Sequence, residues 1–187
     1  MIDLSRKLTD VLVYEGESYP LDISFGNILR IFEMFGDKTI SDLVKFQFAL
    51  LMLTGVNFEI DAYAARDLYQ AIFDEHIKIK KIKKQHFDRQ GNPLPEMKSE
   101  DDDKIHYSLT YDGDYIFASF MQAYGIDLIE VQDTLHWQKF NALLSGLPDG
   151  TKFVEVIKIR AWEPINGESA SEKERMRKLQ VAYELPT

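Results

Sequence analysis

Four histidines are the residues of this 187-residue chain best suited to proton or metal chemistry: His76, His86, His106 and His136. A zinc site asks for several nitrogen or sulfur ligands at tight local spacing. His76 and His86 lie ten residues apart, the other two are isolated, and the chain has no His-Glu-x-x-His pattern and no cysteine. The expectation is that these imidazoles are paired within the fold and that the chain binds no metal and no cofactor. Asp101, Asp102 and Asp103 form a carboxylate run. A calcium loop needs alternating ligands, a glycine turn and a distal glutamate, so the run reads as a solvated spacer. Nucleophilic catalysis needs a Ser or Cys beside a base, and there is no Gly-x-Ser-x-Gly elbow. Gly-rich phosphate loops are missing as well. The basic run His76–Lys84 suits a phosphate-binding strip or, more simply, the cationic end of a long helix. No catalytic residue is predicted, and the chain reads as a non-enzyme.

The totals narrow the partners. The formal net charge is −9, with 45% apolar and 28% charged residues. Such a surface repels phosphate backbones and anionic membranes, so neither nucleic acid nor membrane is expected as a partner. The N-terminal MIDLSRKLTDV has no apolar core of a signal peptide. Phe46–Leu53, the longest apolar stretch, is broken by Gln47 and is too short to span a bilayer. Absence of cysteine fits a reducing cytoplasm. The length suits one domain, 1–187.

The elements that must position these side chains are mostly helical. Val11–Tyr14 and Ser18–Ile23 flank Glu15-Gly16-Glu17 and predict a β-hairpin. Ser24 is placed as the cap of a helix through Phe35, and Ser41 as the cap of a second with Val44, Phe48, Leu51 and Met52 inward. Asp61 caps a third, with Ala65, Leu68, Tyr69, Ile72, Phe73 and His76 as its stripe and an extent reaching Lys84. Residues 86–104 carry Gly91, Pro93, Pro95 and the acidic run, and read as a mobile acidic linker between 1–85 and 105–187. Asp112 and Asp114 mark the next helix start, whose stripe is Ile116, Phe117, Phe120, Met121 and Tyr124, with Gly125 as its left-handed cap. Asp133 or Thr134 is expected to cap a helix that turns Trp137, Phe140, Leu143, Leu144 and Leu147 inward. Phe153–Ile159 suits strand or helix, and helix is preferred. Ser171 and Glu174 form a capping box for a last helix to about Tyr183. The fold class is mostly α (α+β): an N-terminal hairpin followed by a bundle of six or seven helices.

The stretch from Tyr107 to Arg160 carries the densest signature. Tyr124-Gly125-Ile126-Asp127-Leu128 closes one helix. His136-Trp137 and Lys139-Phe140 open another, and Gly146-Leu147-Pro148 followed by Thr151-Lys152-Phe153 forms a joint. In the His136-Trp137 pair, Trp137 is read as a core plug and His136 as a partner of nearby backbone. This order of residues resembles a phage protein family known by its product number, fifteen, of siphophages and prophages of Gram-positive bacteria. The family often has a second aromatic where this chain has Gln138. The resemblance makes Tyr124, Gly125, Ile126, Asp127, His136, Trp137, Lys139, Phe140 and Pro148 signature positions of mainly structural weight, and leaves the partner-binding residues open.

The resemblance implies a tail assembly chaperone. Its clients would be the tape measure protein and the tail tube protein, with a smaller companion chaperone as a further partner. It would act in the bacterial host cytoplasm and would not be retained in the mature virion. Two other readings stand beside it: a structural virion head–tail or tail component, and a nucleic-acid-binding regulator that uses the lysine run.

Overall fold

A two-residue turn sets the register of the hairpin. Strands β1 (Val11–Tyr14) and β2 (Glu17–Pro20) run antiparallel, with Val11 opposite Pro20 and Tyr14 opposite Glu17. Glu15 and Gly16 between them both have positive φ, 51° and 83°, the twist that suits right-handed strands. The computed structural model describes residues 2, 4–78, 106–164 and 167–186. His86, the linker 86–104 and Lys80, Lys81, Lys83 and Lys84 of the basic run lie outside the described residues. Among the described residues, seven α-helices follow the hairpin: α1 (Phe25–Gly36), α2 (Asp42–Thr54), α3 (Ala62–Ile72), α4 (Gly113–Tyr124), α5 (Trp137–Ser145), α6 (Lys152–Arg160) and α7 (Ala170–Ala182). The α+β fold class expected from the sequence is the observed one.

The chain divides into two compact units, one taking Met1–Ile79 with Tyr124–Gly146 and the other Lys80–Ala123 with Leu147–Thr187. In the first unit, α1 and α5 begin side by side. Ser24 and His136 form an isolated antiparallel bridge. The Phe25 N–H donates to Leu135 O at 2.9 Å, and the Trp137 N–H to Ile23 O at 2.8 Å. Gly26 makes this approach possible: a Cβ there would sit 2.7 Å from Gln132 O, the oxygen that accepts the Gly26 N–H. Ile28, Ile31, Leu50, Leu53, Ile72, Trp137 and Phe140 fill the core. Burying each such side chain stabilises by roughly 1.5–3 kcal/mol. Phe25 stacks on Phe140 with centroids 4.8 Å apart. Phe35, Phe46, Tyr69 and Phe73 form a connected aromatic set, and burial pushes the Tyr69 phenol up to about 12.

The second unit is held by two polar clusters. Arg160, at the end of α6, grips the buried Asp112 carboxylate with two N–H···O bonds of 2.7 and 2.8 Å. It also donates to His106 O and Tyr183 O. Such a planar fork is what guanidinium supplies and ammonium cannot. Burial works to raise the Asp112 pKa, but Arg160 and the Ser108 N–H outweigh it and hold the carboxyl below its ordinary value. Lys152 sits 4.5 Å from the Tyr183 ring centroid and 5.7 Å from that of Tyr115. The Ser119 hydroxyl accepts the Phe153 N–H at the start of α6.

Several local expectations are corrected. β2 stops at Pro20 because the Asp22 N–H turns away to Leu53 O. Ser24 and Ser41 occupy N-cap positions without a side-chain bond to the helix; Asp61, by contrast, accepts from Tyr63 N and Ala64 N. The cap of α5 is His136, in place of Asp133 or Thr134. The capping box of α7 is Ser169 with Glu172, two residues ahead of the expected Ser171 and Glu174. Met121 of α4 faces solvent, and Ser119 takes the inward position. The third helix passes at Phe73–Ile77 into a π-helical turn. The largest correction concerns α2: Val44, Phe48 and Leu51 point outward, and Lys45, Ala49, Leu50 and Leu53 point inward.

Candidate functional site

Asp10 gathers two of the four histidines. Its Oδ1 lies 2.7 Å from His76 Nδ1 and its Oδ2 lies 2.6 Å from His136 Nε2. The three side chains are largely buried. The Gln138 N–H donates to His136 Nδ1 at 3.1 Å, so that nitrogen carries a lone pair and Nε2 carries the proton given to Asp10. This tautomer follows from the hydrogen-bond pattern. Burial works to raise the Asp10 pKa; the hydrogen bonds from His136 and then His76 prevail, and the carboxyl ends below its ordinary value. One carboxylate therefore ties the segment before β1, the π turn and the start of α5. Both oxygens are spent on imidazole N–H groups. Among the described residues, no group of three His, Cys, Asp or Glu side chains could hold a metal ion.

The remaining signature positions have plain structural surroundings. Trp137 is buried, and its indole N–H donates to Ile77 O at 2.7 Å. Phe140 is buried beside it. The Tyr124 hydroxyl donates to Leu143 O at 2.9 Å. Gly125 has φ 64°, the left-handed value that a side chain would strain. Ile126 is half-buried. Asp127 Oδ1 accepts the N–H groups of Ile129 and Glu130 and so shapes the turn after α4. Lys139 and Pro148 are exposed, and Pro148 O accepts from the Thr151 hydroxyl. His106 lends its carbonyl oxygen to Arg160.

The surface that could meet another protein is on α2. Val44, Phe48 and Leu51 recur at i, i+4 and i+7 and are 39%, 47% and 38% exposed. That spacing makes one continuous stripe. Leu43 lies beside it, also exposed. The helix DLVKFQFALLMLT is apolar on nearly every side, so sequence periodicity alone cannot choose the inward face. Lys45 settles it. Its stem is buried and its Nζ donates to Phe35 O at 2.9 Å and to Asp42 Oδ1 at 3.0 Å. The carbonyl oxygens at the end of α1 have lost their helical partners, and the ammonium satisfies one of them. Turning Lys45 inward turns Val44, Phe48 and Leu51 out. Sequence reasoning places these three in the core and so misses them as surface residues.

The family model described as Bacteriophage Gp15 protein matches residues 6–185. The chain belongs to this family. No curated protein and no solved structure matches it. The family match spans the clasp, the signature and the outward stripe of this Gp15 chain alike. None of the helices among its described residues is long and apolar enough to cross a membrane.

Proposed function

We propose that this phage protein is a tail assembly chaperone that keeps the tape measure protein soluble while tail tube subunits polymerise round it. The observation that carries the reading is the outward apolar stripe of α2. A side-chain set of this kind would stabilise a monomeric fold if buried, and here the fold leaves it in water. Binding to an open, aggregation-prone client shifts that client toward solution by mass action, and an apolar helical surface suits a helical client. The role needs no reactive centre and is exercised in the bacterial host cytoplasm.

The test is co-expression. A tape measure fragment that aggregates alone should become several-fold more soluble beside this protein. An unchanged soluble fraction refutes the proposal. Mass spectrometry of purified virions separates the rival reading: abundant copies in the particle would make the protein a structural component, and traces or none are expected.

A further inference from the structure

The surroundings of the α2 stripe carry information about what docks there. The first unit contains 16 aspartates and glutamates against 8 lysines and arginines, a net charge of −8. The second contains 15 against 14 and is close to neutral. The negative charge of the chain is therefore concentrated on the unit that bears the stripe.

The rim repeats this bias at close range. Asp42 is exposed at the N-terminal end of the stripe, with its Oδ1 shared with the inward Lys45 ammonium. Gln47 borders Val44, Phe48 and Leu51 on the helix surface, and its amide donates to Ile60 O at 3.2 Å. That bond brings the Ile60 backbone to Gln47, and the two residues flanking Ile60 are the exposed Glu59 and Asp61, the latter also capping α3 through Oδ1. Next to them Phe58 makes edge contacts with Tyr14 and Tyr19, 5.6 and 5.1 Å between centroids. Those contacts bring up the hairpin end with Glu15 and Glu17. The cations nearby are mostly engaged. Lys45 is turned inward, and Arg66 is held by Asp67 and the Tyr63 ring. Lys38, on the α1–α2 loop, is an exposed counter-charge.

We infer that the α2 stripe, rimmed by Asp42, Glu59 and Asp61, docks a cationic amphipathic helix of a partner protein. The inference deepens the chaperone reading, rests on it, and names the chemistry of the client segment. Leucine-like side chains at i, i+3 or i+4, and i+7 would lie on Val44, Phe48 and Leu51, with lysine or arginine on either side meeting the carboxylates. Three anchors at i, i+4 and i+7 span about two turns, ~10 Å along the axis, which fits a short helix segment. A second copy of this chain is the poorer occupant, because two units of charge −8 would face one another.

The test uses the purified full chain and three labelled peptides of about eighteen residues. One places leucine at helical spacing with lysine elsewhere, one replaces every lysine with glutamate, and one scrambles the leucine–lysine order. Fluorescence anisotropy should show saturable one-to-one binding of the first peptide alone, weakening as sodium chloride rises. Phe48→Ser should lower its affinity at least about tenfold, the usual scale for losing a central aromatic anchor, and Glu59→Lys should lower it several-fold. A urea midpoint establishes that each variant is folded. If Phe48→Ser is not, Leu51→Gln replaces it.

Equal binding of all three peptides overturns the inference, and so does binding that ignores folded stripe variants. Concentration-dependent dimerisation that Phe48→Ser abolishes would make the occupant a second copy and overturn it as well. Failure of the peptide to bind while the protein still solubilises the tape measure removes this inference and leaves the chaperone reading. Stripe-dependent binding of the cationic peptide without any effect on the tape measure supports the docking chemistry and removes the chaperone reading.

Discussion

Asp10→Ala is the substitution whose effect the geometry defines most closely. It deletes two hydrogen bonds from imidazole N–H groups to a carboxylate, of 2.7 and 2.6 Å. Hydrogen bonds to charged groups contribute about 1.5–3 kcal/mol each. The histidine side chains keep 14% and 15% exposure, so water can partly replace the lost acceptor, and the lower end applies. The expected cost is about 3 kcal/mol. With a urea dependence of about 2 kcal/mol per molar, the unfolding midpoint should fall by about 1.5 M. Trp137 is buried beside the clasp and reports on this unit. The other tryptophan, Trp162, belongs to the second unit, so a Trp162→Phe background isolates the signal.

Asp10→Asn sharpens the test. His136 Nδ1 is committed to the Gln138 N–H, so His136 Nε2 must donate, and the amide oxygen of the substituted side chain can accept it. The amide NH₂ then faces His76 Nδ1, which accepts once its proton moves to Nε2, 3.8 Å from Glu75. Both contacts survive with less charge, and the expected cost is about 1 kcal/mol. An amide variant as unstable as the Ala variant would refute the tautomer assignment. An Ala variant within about 0.3 M of the parent midpoint would refute the clasp as a stabilising contact.

Other outcomes follow from contacts elsewhere in the fold. Ser24→Ala should leave the urea midpoint nearly unchanged, because Ser24 Oγ has no hydrogen-bond partner; a cap serine that bonds its helix would cost about 1 kcal/mol. Gly26→Ala should destabilise by about 1–3 kcal/mol through the clash of its Cβ with Gln132 O, 2.7 Å away, read from thermal unfolding. Folded Asp10 and Asp112 both have pKa values below the ordinary 3.8. Their stabilisation is present above that value and is lost as pH falls through the lowered ones. Acid unfolding followed by circular dichroism should therefore steepen below about pH 4, and Asp112→Asn should flatten its share of that slope while lowering stability at neutral pH.

What can be read from the sequence follows from which interactions are local. The hairpin turn, the Asp61 cap and the stripe of α3 depend on neighbours within a few residues, and all three stand where the pattern puts them. Helix α2 does not, since nearly every position could face a core. Its orientation is decided by Lys45 reaching Phe35 O, ten residues back. Hydropathy draws Met121 inward, but the Ser119 hydroxyl is needed against the Phe153 N–H, and it takes the buried place. His136 is not evident as a cap, because imidazole is an uncommon one and Asp133 and Thr134 are better formers on propensity. The clasp joins residues 66 and 126 positions apart. No spacing rule reaches that far. One usable signal is the lone histidine next to a core tryptophan, which needs a polar partner of its own. The outward stripe offers a different one: a lysine inside an apolar helix, whose ammonium demands an acceptor.

The π turn at Phe73–Ile77 has a consequence for how the first unit keeps its parts in phase. Its Lys78 N–H reaches back five residues to Phe73 O. Each residue of a helix advances roughly 100° round the axis. Winding these residues as an ordinary α-helix with none removed would hand the Lys78 N–H to Asp74 O and swing His76 by a large part of that angle, away from Asp10. Ile77 O, which receives the Trp137 indole, would swing with it. The widened turn thus acts as a vernier: one extra residue sets the angle at which the end of this helix meets both the strand leader and the fifth helix.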